Sequence, residues 1–574
     1  MFCLSTVRQA TMTHMSESQK SDVSKREEAT LAFWKEHQIF EKSVQKPAPL
    51  GEYVFYDGPP FATGLPHYGH ILASVVKDAV PRYFTMRGYS VPRVWGWDCH
   101  GLPIENIVEK ELGFKHKKDI LEIGVAKFNE LCRSKVFTYA DEWKKVIPRI
   151  GRWADMEKPY FTMSRDFMES VWWAFKQIYD KGLVYEDYRS MHICPRCETT
   201  LSQSEVAEGY KDVKDLAVTA KFKVKNPEKL GLSGDVYVLA WTTTPWTLPG
   251  NVALAVGADI RYAAFQLSNP IESTREEGGA SNEIIYGPML ICAQERVNDL
   301  VIAHKKVHTK TFSGLDLVGL EYEPLFDSYS SDANLKNKEN GWKVYAADFV
   351  TTEDGTGVVH IAPAFGSDDM ALGKKENLPF VQHVGMDGII RPEVKELAGL
   401  SVKPIDDVQS TDVAVIKYLA EKGRLFSKEK YEHSYPHCWR CDTPLINYAT
   451  SSWFVRIEDQ KSALLKNAAP INWSPEHIKE GRWGKWLEGA RDWSISRQRF
   501  WASVIPIWVC EKCKAKRVFG SAAELEEASG KKRLLLRRHF RPNSSRRVWT
   551  KRAHGFTTST CSPHPSLEKT HSRM

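Results

Sequence analysis

Apolar and polar positions change their spacing several times along the chain, and each change predicts a different element. From Glu27 to Phe40, Leu31, Trp34 and Ile39 recur at a loosely helical interval. Residues 53–56 (Tyr-Val-Phe-Tyr) are a short apolar run that predicts a buried strand, ended by the turn chemistry of Asp57, Gly58, Pro59 and Pro60. Ile71, Leu72, Val75, Val76 and Ala79 then share one helical face. Pro81 is expected to kink or end that helix, because it has no amide proton and clashes with the preceding turn. Residues 91–95 predict a second strand closed by Gly96. Strand, loop, helix, strand is a parallel crossover unit of Rossmann type.

Helical spacing dominates residues 125–181, with Phe128, Leu131, Val136, Tyr139, Trp143, Val171, Trp172, Phe175 and Ile178 as core candidates. After Lys211 the runs become short, β-branched and bounded by Gly or Pro, which predicts a β-rich domain to about residue 405. Mixed and helical patterns return after Val413. A repeat flanks the β-rich stretch: Cys194-Pro195-Arg196-Cys197-Glu198-Thr199 echoes Cys438-Trp439-Arg440-Cys441-Asp442-Thr443. The economical explanation is an inserted domain whose entering and leaving stems are clipped together at its base.

Composition alters this picture in three places. The chain has 574 residues, 42% of them apolar, enough for several buried cores. It has no run of eighteen apolar residues, so no membrane span is expected, and residues 1–20 lack the apolar core of a secretory signal. The net charge of +7 does not by itself indicate nucleic acid. Residues 531–574 hold twelve Lys or Arg against Glu568, a net +11, which leaves the other 530 residues at −4. That basic tail and the N-terminal residues 1–25 are expected to be disordered. Six of eleven cysteines fall in Cys-x-x-Cys pairs, at 194/197, 438/441 and 510/513. In a large chain without a signal such pairs read as metal sites. Cys194, Cys197, Cys438 and Cys441 suffice for a closed tetrahedral structural zinc site.

His67-Tyr68-Gly69-His70 falls between the first strand and first helix, where phosphates meet a helix N-terminus in a Rossmann-type unit. Asp57-Gly58-Pro59-Pro60-Phe61-Ala62-Thr63-Gly64 precedes it. Gly96-Trp97-Asp98-Cys99-His100-Gly101-Leu102-Pro103-Ile104-Glu105 follows at the end of the next strand. Together these blocks resemble the ATP site of class I aminoacyl-tRNA synthetases, and the second block resembles the isoleucyl branch, of eukaryotic cytosolic type. Within the β-rich stretch, Trp241-Thr242-Thr243-Thr244-Pro245-Trp246-Thr247-Leu248-Pro249-Gly250-Asn251 and residues 355–369 resemble the editing domain of isoleucyl, valyl and leucyl synthetases. Trp493-Ser494-Ile495-Ser496-Arg497-Gln498-Arg499-Phe500-Trp501 resembles the segment that re-enters the catalytic domain.

The resemblance implies an α/β fold: a Rossmann-type catalytic domain, incomplete here, interrupted by a β-rich editing domain. It divides the chain into residues 26–190 (N-terminal helix and first catalytic half), 191–210 (zinc-ribbon stem), 211–405 (editing domain), 406–455 (returning stem), 456–530 (return to the catalytic domain) and the tail. It implies that His67, Gly69 and His70 bind ATP, the histidines stabilising charge that develops on phosphorus. Pro59 and Asp98 would hold the isoleucine amino group. Thr242, Thr243, Thr244 and Asn251 would line a pocket for a mischarged tRNA end, with Asp369 anchoring the free amino group and His360 rejecting isoleucine. The implied partners are ATP with Mg2+, L-isoleucine and tRNA(Ile), in the cytoplasm, with a multi-synthetase complex as a family possibility. The family's Lys-Met-Ser-Lys-Ser loop and anticodon-binding domain are absent from the sequence. The chain as given is therefore expected not to charge tRNA. The alternatives are a stand-alone editing hydrolase and an inactive fragment.

Overall fold

The computed structural model describes residues 20–61, 63–270, 284–300, 305–404 and 406–530. The expected basic tail lies outside the described residues, as does most of the expected N-terminal tail. The first helix, Asp22–Glu36, starts inside that N-terminal segment, capped by the Ser21 side chain accepting from the Ser24 amide. The N-terminal boundary drawn at residue 25 is corrected accordingly.

The nucleotide-type unit is present with altered elements. Residues 53–56 are not a buried strand. They run extended beside the next strand, bridged in parallel only at Glu52 to Ser90 and Phe61 to Asp98, and leave Val54 and Tyr56 exposed. The strand expected at residues 91–95 is Val94–Trp97. The helix Tyr68–Met86 continues through Pro81. One proline removes a single amide donor, and the Pro81 carbonyl gains the Thr85 hydroxyl at 2.8 Å. Its apolar face carries Leu72, Val75 and Val76, which are 69%, 55% and 58% exposed, so the spacing marked a face that no described residue covers. The expected helical stretch 125–181 is split: helices Val125–Arg149 and Arg165–Asp180 flank the strand Asp155–Phe161, which pairs in parallel with Val94–Trp97. Phe128, Val136, Trp143, Trp172 and Phe175 are buried as expected, whereas Val171 is exposed.

The β-rich region forms a sheet of ten described strands. Its interior is continuous: Val218, Phe222, Val236, Leu254, Tyr262 and Ile291 are fully buried in one cluster. Each such side chain contributes about 1.5–3 kcal/mol by leaving water. Leu425–Pro436 pairs antiparallel with Tyr210–Lys223 along its length, so this strand belongs to the same sheet rather than to a separate stem beginning at residue 406. Below it, Val184–Cys194 pairs antiparallel with Ile446–Val455, and Trp493–Ser494 adds to the far edge. Entering and leaving chains therefore lie side by side twice.

The re-entry segment joins the first half. Arg499 pairs with Glu105 and Glu109, all three buried, and donates to the Cys197 carbonyl at 2.9 Å. Glu105 also accepts the amides of Phe500 and Trp501. The Gly101 amide donates to the Trp501 carbonyl at 2.8 Å, and the Trp501 indole donates to the Cys99 carbonyl at 2.6 Å.

Candidate functional site

The N-terminus of Tyr68–Met86 is built by its own histidines. His67 is the N-cap, and its Nδ1 accepts the Gly69 amide at 3.1 Å. The His67 amide donates to His70 Nδ1 at 3.2 Å, and the two ring centroids lie 3.8 Å apart. With Nδ1 accepting in both neutral rings, each Nε2 carries a proton. The result is two imidazole N–H donors at the N-terminus of a helix, an arrangement suited to an anion. Burial, with His67 and Lys77 nearby, lowers the His70 pKa. A Cβ on Gly69 would meet the His67 ring at 3.0 Å, so glycine lets the cap close. Trp143 holds this loop from the long helix, donating to the Gly64 carbonyl at 2.8 Å and meeting His70 edge-on.

Asp98 closes the adjoining strand. Its amide donates to the Pro60 carbonyl at 2.9 Å, which ties the residue after Pro59 to the end of the strand. Burial raises the Asp98 pKa, opposed by the His100 and Cys99 amides and by the Thr162 hydroxyl, 3.4 Å from Oδ1. Thr162 also accepts the Cys99 amide at 2.8 Å. No local pattern marks Thr162, because it follows the strand hidden inside the helical stretch.

In the insert, a pocket of about 270 Å³ is lined by Thr242, Thr243, Thr244, Thr247, His360, Phe365 and Asp369 among others. Two motifs more than a hundred residues apart thus face one space. The 3-10 turn Pro245–Gly250 folds the threonines onto each other. The Thr242 and Thr244 hydroxyls are 3.2 Å apart, and those of Thr244 and Thr247 are 3.3 Å apart. Thr247 donates to the Thr244 carbonyl at 2.7 Å, so its oxygen accepts from His360 Nε2 at 2.9 Å. Burial pushes His360 down to about 4, which keeps the ring neutral at pH 7. Asp369 Oδ1 accepts the Ala362 amide at 2.7 Å, and burial pushes the carboxyl up to about 6. A Cβ on Gly366 would sit 2.2 Å from Asp369 Oδ2, so only glycine leaves the carboxylate room.

Asn251 is not among the residues lining this pocket: it is buried, accepting the Tyr322 hydroxyl at 2.7 Å and donating to the Ala253 carbonyl at 2.9 Å. It holds the strand after the turn. Thr247 and Phe365 were missed as lining residues, although both stand inside the quoted motifs.

Cys194, Cys197, Cys438 and Cys441 converge at the base of the insert, with all four sulfurs within 4.8 Å of one another. A tetrahedron with metal–sulfur bonds of about 2.3 Å has edges of about 3.8 Å, so the set fits a single ion. Each pair is followed by a residue in the left-handed region, Glu198 at φ 48° and Asp442 at φ 64°. Within the first turn, the Cys197 amide donates to Cys194 Sγ at 3.4 Å. Burial pushes the Cys194 thiol well up, so four thiolates here need a cation. The group could hold a metal ion.

A model of the family described as tRNA synthetases class I (I, L, M and V) matches residues 29–540. The chain belongs to this family. Its catalytic-domain and insert architecture is that of a class I synthetase. The chain is 46% identical over 91% of its length to an isoleucine–tRNA ligase of Treponema denticola, covering 47% of that protein. It is 46% identical over 89% of its length to the Bdellovibrio bacteriovorus isoleucine–tRNA ligase, covering 45%. It is 43% identical over 88% to that of Thermus thermophilus, again covering 45%. The synthetase chain thus spans about half the length of these curated relatives. No described helix is long and apolar enough to cross a membrane.

Proposed function

We propose that this chain is part of an isoleucine–tRNA ligase and that its insert hydrolyses valyl-tRNA(Ile). The observation that carries this reading is the convergence of the threonine turn, His360 and Asp369 on one pocket. The turn supplies hydroxyls for the 3′ end of tRNA. Asp369, ionised at neutral pH, pairs with the ammonium of the ester-linked amino acid. Neutral His360, held against Thr247, forms the wall against isoleucine's larger side chain. The ester is cleaved by a positioned water. No Cys or Ser paired with a His lies among the lining residues, as a covalent route would require.

A second site is needed because a hydrophobic pocket draws only about 1–3 kcal/mol from one methylene, a limit for which isoleucyl enzymes are the worked example. In the activation site, His67 and His70 would meet the phosphates of Mg2+–ATP, and Asp98 with Pro59 would take the isoleucine amino group. Zinc is the ion we assign to the four cysteines, as a closed structural site without an open position. The reading puts the protein in the cytoplasm, with a multi-synthetase complex as a possibility for the full-length family.

The test is deacylation of valyl- and isoleucyl-tRNA(Ile) by the purified chain and by Asp369→Ala. Hydrolysis of the valyl ester that disappears in the variant supports the reading. An inactive chain, or equal rates in both, sinks it.

A further inference from the structure

The threonine turn rests on a buried charged cluster that the proposed reaction does not use. The Trp246 amide donates to Asp412 Oδ1 at 3.3 Å, and the Trp246 carbonyl accepts from His383 Nε2 at 2.8 Å. Asp412 and His383 are each 0% exposed. Behind Asp412, Lys403 Nζ bridges Asp412 Oδ2 at 3.4 Å and Asp215 Oδ2 at 3.5 Å, and His433 adds to Asp215 at 3.3 Å. His383 packs edge-on against Phe365, a pocket residue, which in turn meets Trp246. A Cβ on Gly250 would fall 2.7 Å from His383 Nδ1, so the turn lies directly on this ring.

We propose that Asp412 and His383 are positioning residues for the hydrolytic pocket, gripping the amide and carbonyl of Trp246 so that Thr247 stays against His360. Thr247 is the next residue, and its hydroxyl is the one described partner of His360 Nε2. A shift of Trp246 therefore moves the wall that separates valine from isoleucine. Placing a lysine and two carboxylates out of water is unfavourable until pairing offsets it. A turn needing only support could rest on apolar side chains instead. A charged acceptor on the amide and a ring N–H on the carbonyl fix the two peptide units that flank Trp246.

The inference rests on the proofreading reading, and the experiment separates the two. The full chain is assayed for hydrolysis of valyl- and isoleucyl-tRNA(Ile) as wild type, Asp369→Ala, His383→Leu, His383→Gln, Asp412→Ala and Gly250→Ala, each checked for a folded circular dichroism spectrum. Asp369→Ala should abolish hydrolysis. His383→Leu, Asp412→Ala and Gly250→Ala should lower the valyl-over-isoleucyl ratio of kcat by roughly tenfold, the loss expected for one displaced hydrogen-bonding group, with KM little changed. His383→Gln, which keeps an N–H near the carbonyl, should recover most of the ratio. A purely structural role would leave the ratio unmoved. If Asp412→Ala does not fold, the neutral His383→Leu and His383→Gln pair decides alone. Wild-type ratios in folded His383→Leu and Gly250→Ala, with Asp369→Ala inactive, overturn the clamp and leave the pocket reading standing. No activity in the wild type overturns both.

Discussion

The insert and the nucleotide-type corner carry equally strong motifs but are packed very differently. In the insert, both faces of the sheet are covered, and Trp246, Tyr262, Phe222 and Phe265 are buried to within 2%. In the corner, Asp98 follows one of two short parallel strands and His67 and His70 stand at a helix end, while Leu72, Val75, Val76 and Tyr56 stand open. Motif strength and completeness of packing are therefore separate properties. A site's side chains are fixed only as well as the layer beneath them. Thr244, Thr247 and His360 are locked by mutual hydrogen bonds over a filled core, whereas the histidine cap is held chiefly by its own helix end and Trp143.

The contrast can be broken at the junction first. Arg499→Met leaves Glu105 and Glu109 buried without their cation and should cost about 3–5 kcal/mol in urea unfolding, since lone buried charges are expensive. A loss under 1 kcal/mol would mean that the two halves are not joined by this cluster. Next, on the proposed reading Asp369→Asn removes the charge that pairs with the substrate ammonium and should slow deacylation by about 2–5 kcal/mol, at least roughly thirtyfold. Tyr322→Phe strands the Asn251 carbonyl oxygen and should cost about 1–3 kcal/mol of stability while leaving the deacylation rate near wild type. A large rate loss instead would return Asn251 to the pocket.

The pH profile sharpens the same site. Asp369 must be ionised to hold an ammonium, and its carboxyl sits at about 6. Deacylation should therefore be full above that value and fall as pH drops through it, roughly tenfold from pH 7 to pH 5. A flat profile would remove Asp369 from the ammonium role. The smallest effect belongs to the open corner. Val76→Ser should change stability by less than about 0.5 kcal/mol, because the side chain is already in water. A substitution of equal size at buried Val236 should cost several times more.

Much of this was legible in the chain. Each motif reported its own local chemistry: the His-x-Gly-His cap, the paired Cys-x-x-Cys turns, and the Thr-Thr-Thr-Pro run. The repeat around Cys194 and Cys438 signalled two stems side by side, because four cysteines at matched positions fit a single ion. The strand Asp155–Phe161 was not legible, since its Asp, Glu, Lys and Pro do not show the alternation of a half-buried strand. Nor was the open face of Tyr68–Met86, since helical spacing states which residues turn the same way, not what they meet.

The sequence by itself determined the family, the order of the segments and the kinds of chemistry each motif can support, because these depend on residue type and local spacing. Only the tertiary structure decided that Asn251 supports a strand while Thr247 and Phe365 line the pocket. Only it showed that Arg499 closes the junction and that Asp412 and His383 meet at Trp246. Those contacts join residues far apart in the chain, and the sheet register that brings them together is set by the packing of the whole core rather than by any local run.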